Sequence, residues 1–558
     1  MEYRKLKKYD FLSIFLICSL FAAGLFHEFI ACFAGVALCI YSCIYIIKNK
    51  KVSIYLNLCS LAVSVISLFY FVSTFYALDK GSAIIGFFKF FPVLVFLFIA
   101  MQEKKNPEDY LNIIPPTASA MTVVSAILMQ IDPLEKWFSV SGRLAGFFQY
   151  SNTFALFLLI ALIIISTKDN IRKTDFVYIP VLLAGIIYSG SRTVFVLLVV
   201  SVIAVIIFSK NKKFKLALSG ISAAVIIGAV IFALVTDNFR SIGRFLTMSF
   251  TESTFVGRFL YFADALPVIL KHPFGIGYMG YYFFQHSVQT GVYTVKFIHN
   301  DFLQMMLDIG WAPVLLFVAA IVRSFFRKGA TLQRRLLILI ISAHTCFDFN
   351  FQYVAILMLF VLLLDYKDGK KIEFSINNII NISITSVVSL LFIYIGLTQA
   401  FTYFEAYETA DKLYPWNTMN HMAILSEKNT PDENLADKII ENNGHLAIGY
   451  TTKAKLAYSD GDFEQMIKYQ DKAIEVSPFT YKTYEDYCYM LINGIFLYSQ
   501  NGDTYSAEVC ADKLLSVYKK LEKLPEKLSQ FGEMIEEQPN TQLPEDIINY
   551  IKELKNEK

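Results

Sequence analysis

Apolar runs long enough for a helix to cross roughly 30 Å of hydrocarbon recur through the first 400 positions of this 558-residue chain. They fall near 11–26, 29–47, 54–76, 84–100, 112–130, 152–166, 173–189, 192–208, 214–235, 301–322, 334–347, 351–365 and 376–400. This pattern predicts an all-α fold: a polytopic integral membrane protein of about 12–13 transmembrane helices followed by a soluble helical-repeat domain. A composition that is 55% hydrophobic and 17% charged agrees with it. The net charge of +3 is too small to point to nucleic acid. The N-terminal MEYRKLKKYD and the apolar run after it read as an uncleaved first helix.

Orientation follows from lysine and arginine. Alternate connections carry them: RKLKK (4–8), KNKK (48–51), EKK (103–105), KDNIRK (168–173), KNKKFK (210–215), RSFFRKGATLQRR (323–335) and KDGKK (367–371). The intervening ones are poor in basic residues: 27–28, 77–82, 131–151, 188–192, 236–300 and 348–352. The expected domains are N-terminal transmembrane helices over 1–235, a large extracytoplasmic loop over 236–300, C-terminal transmembrane helices over 301–400 and an extracytoplasmic domain over 401–558. The N-terminus is expected in the cytoplasm of a multi-pass protein of the cell membrane.

In the polar tail, KLAYSDGDFEQMIKYQDKAIEVSP (455–478) reads as one tetratricopeptide-like repeat. Gly461-Asp462 sits at its inter-helix turn, Ala473 at a close-packing position and Pro478 past its end. LYSQNGDTYSAEVCADKL (497–514) is a weaker copy, and AFTYFEAYETADKLYPWN (400–417) a third candidate. Such a stack suits a partner or a growing product. Six cysteines lie in or beside apolar runs and read as buried thiols; Cys488 and Cys510, on the oxidising side, could pair. No C-x-x-C pair or Cys/His spacing indicates a metal.

The side chains able to carry chemistry gather in the basic-poor connections. Guanidinium forks match phosphate oxygens, and Arg143, Arg192 and Arg258 stand at expected membrane edges. Arg240, Arg244 and Lys89 read as ordinary headgroup contacts. His299, beside Asn300 where the large loop re-enters the membrane, can take a proton from a hydroxyl. His344 and Asp348 could pair with each other or line the same cavity, and His272 reads as a turn residue.

GRLAGFFQYSN (142–152), YSGSRTVFVLLV (188–199), GRFLYFADALPVILKHPFGIGYMGYYF (257–283) and IHNDFLQMMLDIGW (298–311), taken in that order, resemble the O-antigen ligase/polymerase superfamily. The resemblance spans roughly 130–365. It implies a membrane glycosyltransferase of polysaccharide biosynthesis, acting on the outer face without metal or other cofactor. The donor would be an undecaprenyl-diphosphate-linked oligosaccharide and the acceptor a sugar or protein hydroxyl. By motif, His299, Arg258 and Arg192 are implied as catalytic; Arg143, Asn300 and Lys296 are taken as substrate-binding. Polymerisation is the first reading. The alternatives are a ligase or protein O-oligosaccharyltransferase of the same family, a transporter or flippase of lipid-linked sugars, and a non-catalytic assembly protein recruiting partners through its tail.

Overall fold

A computed structural model describes residues 10–168, 172–208, 252–428 and 430–557. The expected span 214–235, Arg240 and Arg244 lie outside them. The chain is almost entirely helical, with two short strand pairs. It divides into two compact units, one drawn from the described parts of 1–72, 85–249 and 298–400, the other from 73–84, 250–297 and 401–558.

Among the described residues, five helices are long and apolar enough to cross a membrane: Glu28–Asn49, Lys80–Gln102, Pro107–Leu128, Ser253–Lys271 and Asn378–Tyr403. Six more are apolar but shorter, among them Phe11–Phe21, Leu58–Ser73 and Ser151–Ser166. A helix of sixteen residues, such as Ser151–Ser166, is about 24 Å long. That length falls short of a full crossing, which is why apolar runs outnumber full-length helices. The run 301–322 is two helices, Asp301–Ile309 and Trp311–Phe326, because Gly310 adopts φ +84° between them. The run 351–365 keeps only Val354–Leu362 as α-helix.

In the first unit, Ser151–Ser166 is buried over nearly its whole length. It packs against Ile114–Leu128, Asp175–Ser189, Arg192–Phe208 and Leu332–Thr345. Close approach depends on small residues: a Cβ on Gly185 would lie 2.5 Å from Leu158 and 2.9 Å from Thr122. The Thr122 hydroxyl bonds back to Ala118 O at 2.8 Å, so no polar atom is stranded there.

Several of the lysine- and arginine-bearing connections touch one another in this unit. Strand Val52–Leu56 pairs antiparallel with Lys370–Phe374, joining the 48–51 and 367–371 lysine loops. Lys367 donates to Glu103 O (2.6 Å), and Asn57 to Tyr366 O and Asp368 O. Buried Asp365 accepts from Arg327 at 2.6 Å and from Arg334, whose Nε also reaches Leu363 O at 2.6 Å. Four of the lysine- and arginine-bearing connections are thus tied together. Asp365→Ala would leave the largely buried Arg334 without its carboxylate, at an expected cost of about 3–5 kcal/mol. Thermal unfolding of the detergent-solubilised protein checks this; a melting temperature within a degree or so of wild type contradicts it.

In the second unit, helices pair into hairpins. Ala447–Ser459 turns at Gly461 (φ +77°) into Phe463–Val476, which Asp462 caps by accepting from Gln465 N at 2.9 Å. Tyr481–Gln500 and Thr504–Glu522 repeat the device with Gly502 (φ +74°) and Asp503, which accepts from Ser506 N at 3.0 Å. Glycine ends one helix and aspartate starts the next. Tyr484, Tyr487, Leu491 and Leu514 are fully buried between the hairpins, where each aliphatic side chain contributes roughly 1.5–3 kcal/mol. Cys488 and Cys510 are separate buried thiols, not a disulfide. The 400–417 stretch forms no hairpin of this kind. It holds the end of Asn378–Tyr403, a break at Glu405 (φ +61°) and the short helix Tyr407–Leu413.

Candidate active site

The basic-poor connections of the first unit meet around Asp348. Arg143 comes from a minimal hairpin, Ser139–Val140 against Arg143–Leu144. Its two-residue turn has positive φ at both Ser141 (53°) and Gly142 (73°), the primed geometry that matches strand twist. The guanidinium then spans two elements. Nε donates to Ser189 O at 2.7 Å, and a terminal nitrogen donates to Asn152 Oδ1 at 2.7 Å. Asn152 passes the contact on, donating to Asp348 Oδ2 at 2.8 Å. Tyr150 OH and Phe349 N donate to Oδ1 at 2.9 and 3.0 Å. With three donors turned on it, Asp348 is arranged as the carboxylate.

His299 Nδ1 lies 3.4 Å from Asp348 Oδ1. That is the long end of contact range. His299 holds φ +56°, a left-handed conformation uncommon outside glycine. The reason is local: the next residue, Asn300, is the extended N-cap of Asp301–Ile309, its side chain accepting from Leu303 N at 3.1 Å. The fully buried Asp301 accepts from Phe351 N at 2.7 Å, tying the histidine turn to the segment that bears Asp348. Phe349 sits beside them, its ring 5.0 Å edge-on from His299 and 4.7 Å stacked from Tyr150. The His299 side chain keeps 23% exposure against 2% for Asp348. One ring nitrogen, Nδ1, faces the carboxylate.

The sequence-derived residues divide between the two units. His299, Asn300, Arg143 and Arg192 belong to the first. Arg192 is the first residue of Arg192–Phe208, directly after the Ser189–Gly190–Ser191 turn that Arg143 holds. Arg258 and Lys296 belong to the second unit. Arg258 is half-buried on Ser253–Lys271, and Lys296 is exposed with Nζ 5.5 Å over the Phe297 ring. His344 Nδ1 lies 2.8 Å from Asn350 Nδ2.

Lys89 corrects the sequence reading: it is fully buried, not a headgroup contact, with Nζ 3.5 Å from Glu28 and 5.0 Å over the Phe26 ring. Asn152 and Tyr150 stood inside the quoted 142–152 motif without drawing notice. Their signal was position, in a basic-poor connection beside Arg143. Among the described residues, no three His, Cys, Asp or Glu side chains converge as metal ligands.

The O-Antigen ligase family model matches residues 177–345. This is well under half of the chain, and it supports the O-antigen ligase/polymerase superfamily, whose members act on glycans. No curated protein matches the chain. The O-antigen ligase segment contains Arg192, Arg258, Lys296, His299 and Asn300, whereas Arg143, Asn152 and Asp348 lie outside it. With the apolar helices, it indicates a multi-pass membrane protein.

Proposed function

We propose that the protein is a glycosyltransferase that polymerises undecaprenyl-diphosphate-linked glycan on the outer face of the cytoplasmic membrane. The observation that carries this reading is the line of contacts from Arg143 through Asn152 and Asp348 to His299. In the proposed reaction, His299 takes the proton of the acceptor hydroxyl as its oxygen attacks the anomeric carbon. The bond from that carbon to the lipid diphosphate breaks, and its electrons leave with the diphosphate. Asp348 stabilises the imidazolium so formed, while Arg192 offsets charge building on the leaving group. Arg258 is assigned to the donor from the resemblance alone. Asn300 and Lys296 remain proposed contacts to the glycan, and Arg143 acts through Asn152. No metal takes part in this scheme. The tail, proposed as a tetratricopeptide-like extracytoplasmic domain, offers a surface to the product or to assembly partners.

Glycan profiling of cells lacking the protein tests the reading. The expected result is loss of long surface chains, with single repeat units accumulating on the lipid carrier at the outer leaflet. Full-length chains accumulating on the carrier would make the protein a ligase. Repeat units held at the inner leaflet would make it a transporter, for which the buried Lys89–Glu28 pair is the feature in favour.

A further inference from the structure

Residues near the end of the tail close on the helix that carries Arg258. Ser529 N donates to Thr290 O at 2.9 Å, and the Ser529 and Thr290 hydroxyls lie 2.9 Å apart. Thr290 in turn donates to Asp264 from its hydroxyl (2.7 Å) and its amide (2.9 Å), and Tyr293 OH donates to the same carboxylate at 2.9 Å. Asp264 lies on Ser253–Lys271, as Arg258 does. At the start of that helix, Ser253 Oγ accepts from Glu536 N at 2.9 Å. Between these points the backbones touch. A Cβ on Gly532 would lie 2.2 Å from Thr290 O and 3.1 Å from Gly291 Cα. Ile535 completes an apolar cluster with Val256, Leu260 and Tyr293.

We infer that residues 529–537 form a clasp that positions Arg258, so that the tail contributes to donor binding through this helix. The inference rests on the assignment of Arg258 to the donor. The clasp pins the helix at Ser253 and at Asp264, on either side of Arg258. Its contacts are short backbone and side-chain hydrogen bonds that a shifted helix cannot keep. Ser529, Gly532 and Asp264 are positioning residues in this account.

Two readouts on the purified full-length protein test it. Gly532→Ala drives a methyl group into the Thr290 carbonyl; Ser529→Ala removes hydrogen bonds without adding an atom. Both should raise amide exchange over 253–262 by about tenfold or more. Both should also raise KM for an undecaprenyl-diphosphate-linked oligosaccharide severalfold, with kcat changed less than about twofold. In an Arg258→Ala background, neither should raise KM further, since coupled residues are not additive. The exposed Glu526→Ala, outside the clasp, should leave both readouts as in wild type. Unchanged exchange in both variants refutes the clasp. Faster exchange with an unchanged KM refutes its hold on Arg258. An Arg258→Ala protein with wild-type KM removes the donor assignment, whatever the exchange data say of the clasp.

Discussion

His299→Ala is expected to lower the rate of glycan transfer by about 10²–10⁴-fold, the usual contribution of a positioned acid–base group. That factor corresponds to roughly 3–5 kcal/mol of transition-state stabilisation. The ring is set by its neighbours and not by its own chain alone. The left-handed turn at His299 aims it, the Asn300 cap fixes the following helix, and Phe349 packs at its edge. Donor binding should survive, because in the proposed reaction the imidazole works on the acceptor proton. The check is single-turnover transfer beside a donor-binding measurement at matched folding. Loss of rate with retained binding is the predicted pattern. Equal loss of both would mean that His299 holds substrate and does not move a proton.

Asp348→Asn is expected to cost about 10²-fold. The substitution is close in size, but it puts an amide where Tyr150 OH, Asn152 Nδ2 and Phe349 N all donate. It also removes the negative charge 3.4 Å from His299. The imidazolium formed in the proposed transfer step then has less support, so the single-turnover rate should fall while donor binding is kept. A reduced rate matched by a lowered melting temperature and weakened donor binding would assign Asp348 to folding alone. Tyr150→Phe removes one of the donors and keeps the carboxylate, so it should cost far less.

How much of this could be read from the chain follows from what kind of signal each feature leaves. The alternation of lysine- and arginine-bearing loops is one-dimensional, whereas the contacts between loops are not. The loops 48–51, 103–105, 323–335 and 367–371 are joined to one another, and Arg143, the Ser189 turn, His299 and Asp348 are joined to one another. Pairings within each group leave no such trace. Nothing local marks His299 as a neighbour of Asp348, because that contact depends on how the 348–352 segment folds under Asp301. Lys89 looks like an edge residue by its place near the start of an apolar run. Only packing reveals it 3.5 Å from Glu28 and fully enclosed. The Gly-Asp turns of the tail were visible because glycine at positive φ and an aspartate cap are local requirements. The clasp at Gly532 was not, since it joins residues more than two hundred positions apart.

The most direct test of the account is turnover by the purified full-length protein in vesicles holding an undecaprenyl-diphosphate-linked oligosaccharide. The account predicts longer glycans on the lipid carrier and one undecaprenyl diphosphate released for each new glycosidic bond. Donor that stays intact on the vesicle face where it was supplied, with acceptor present and the protein folded, would contradict it.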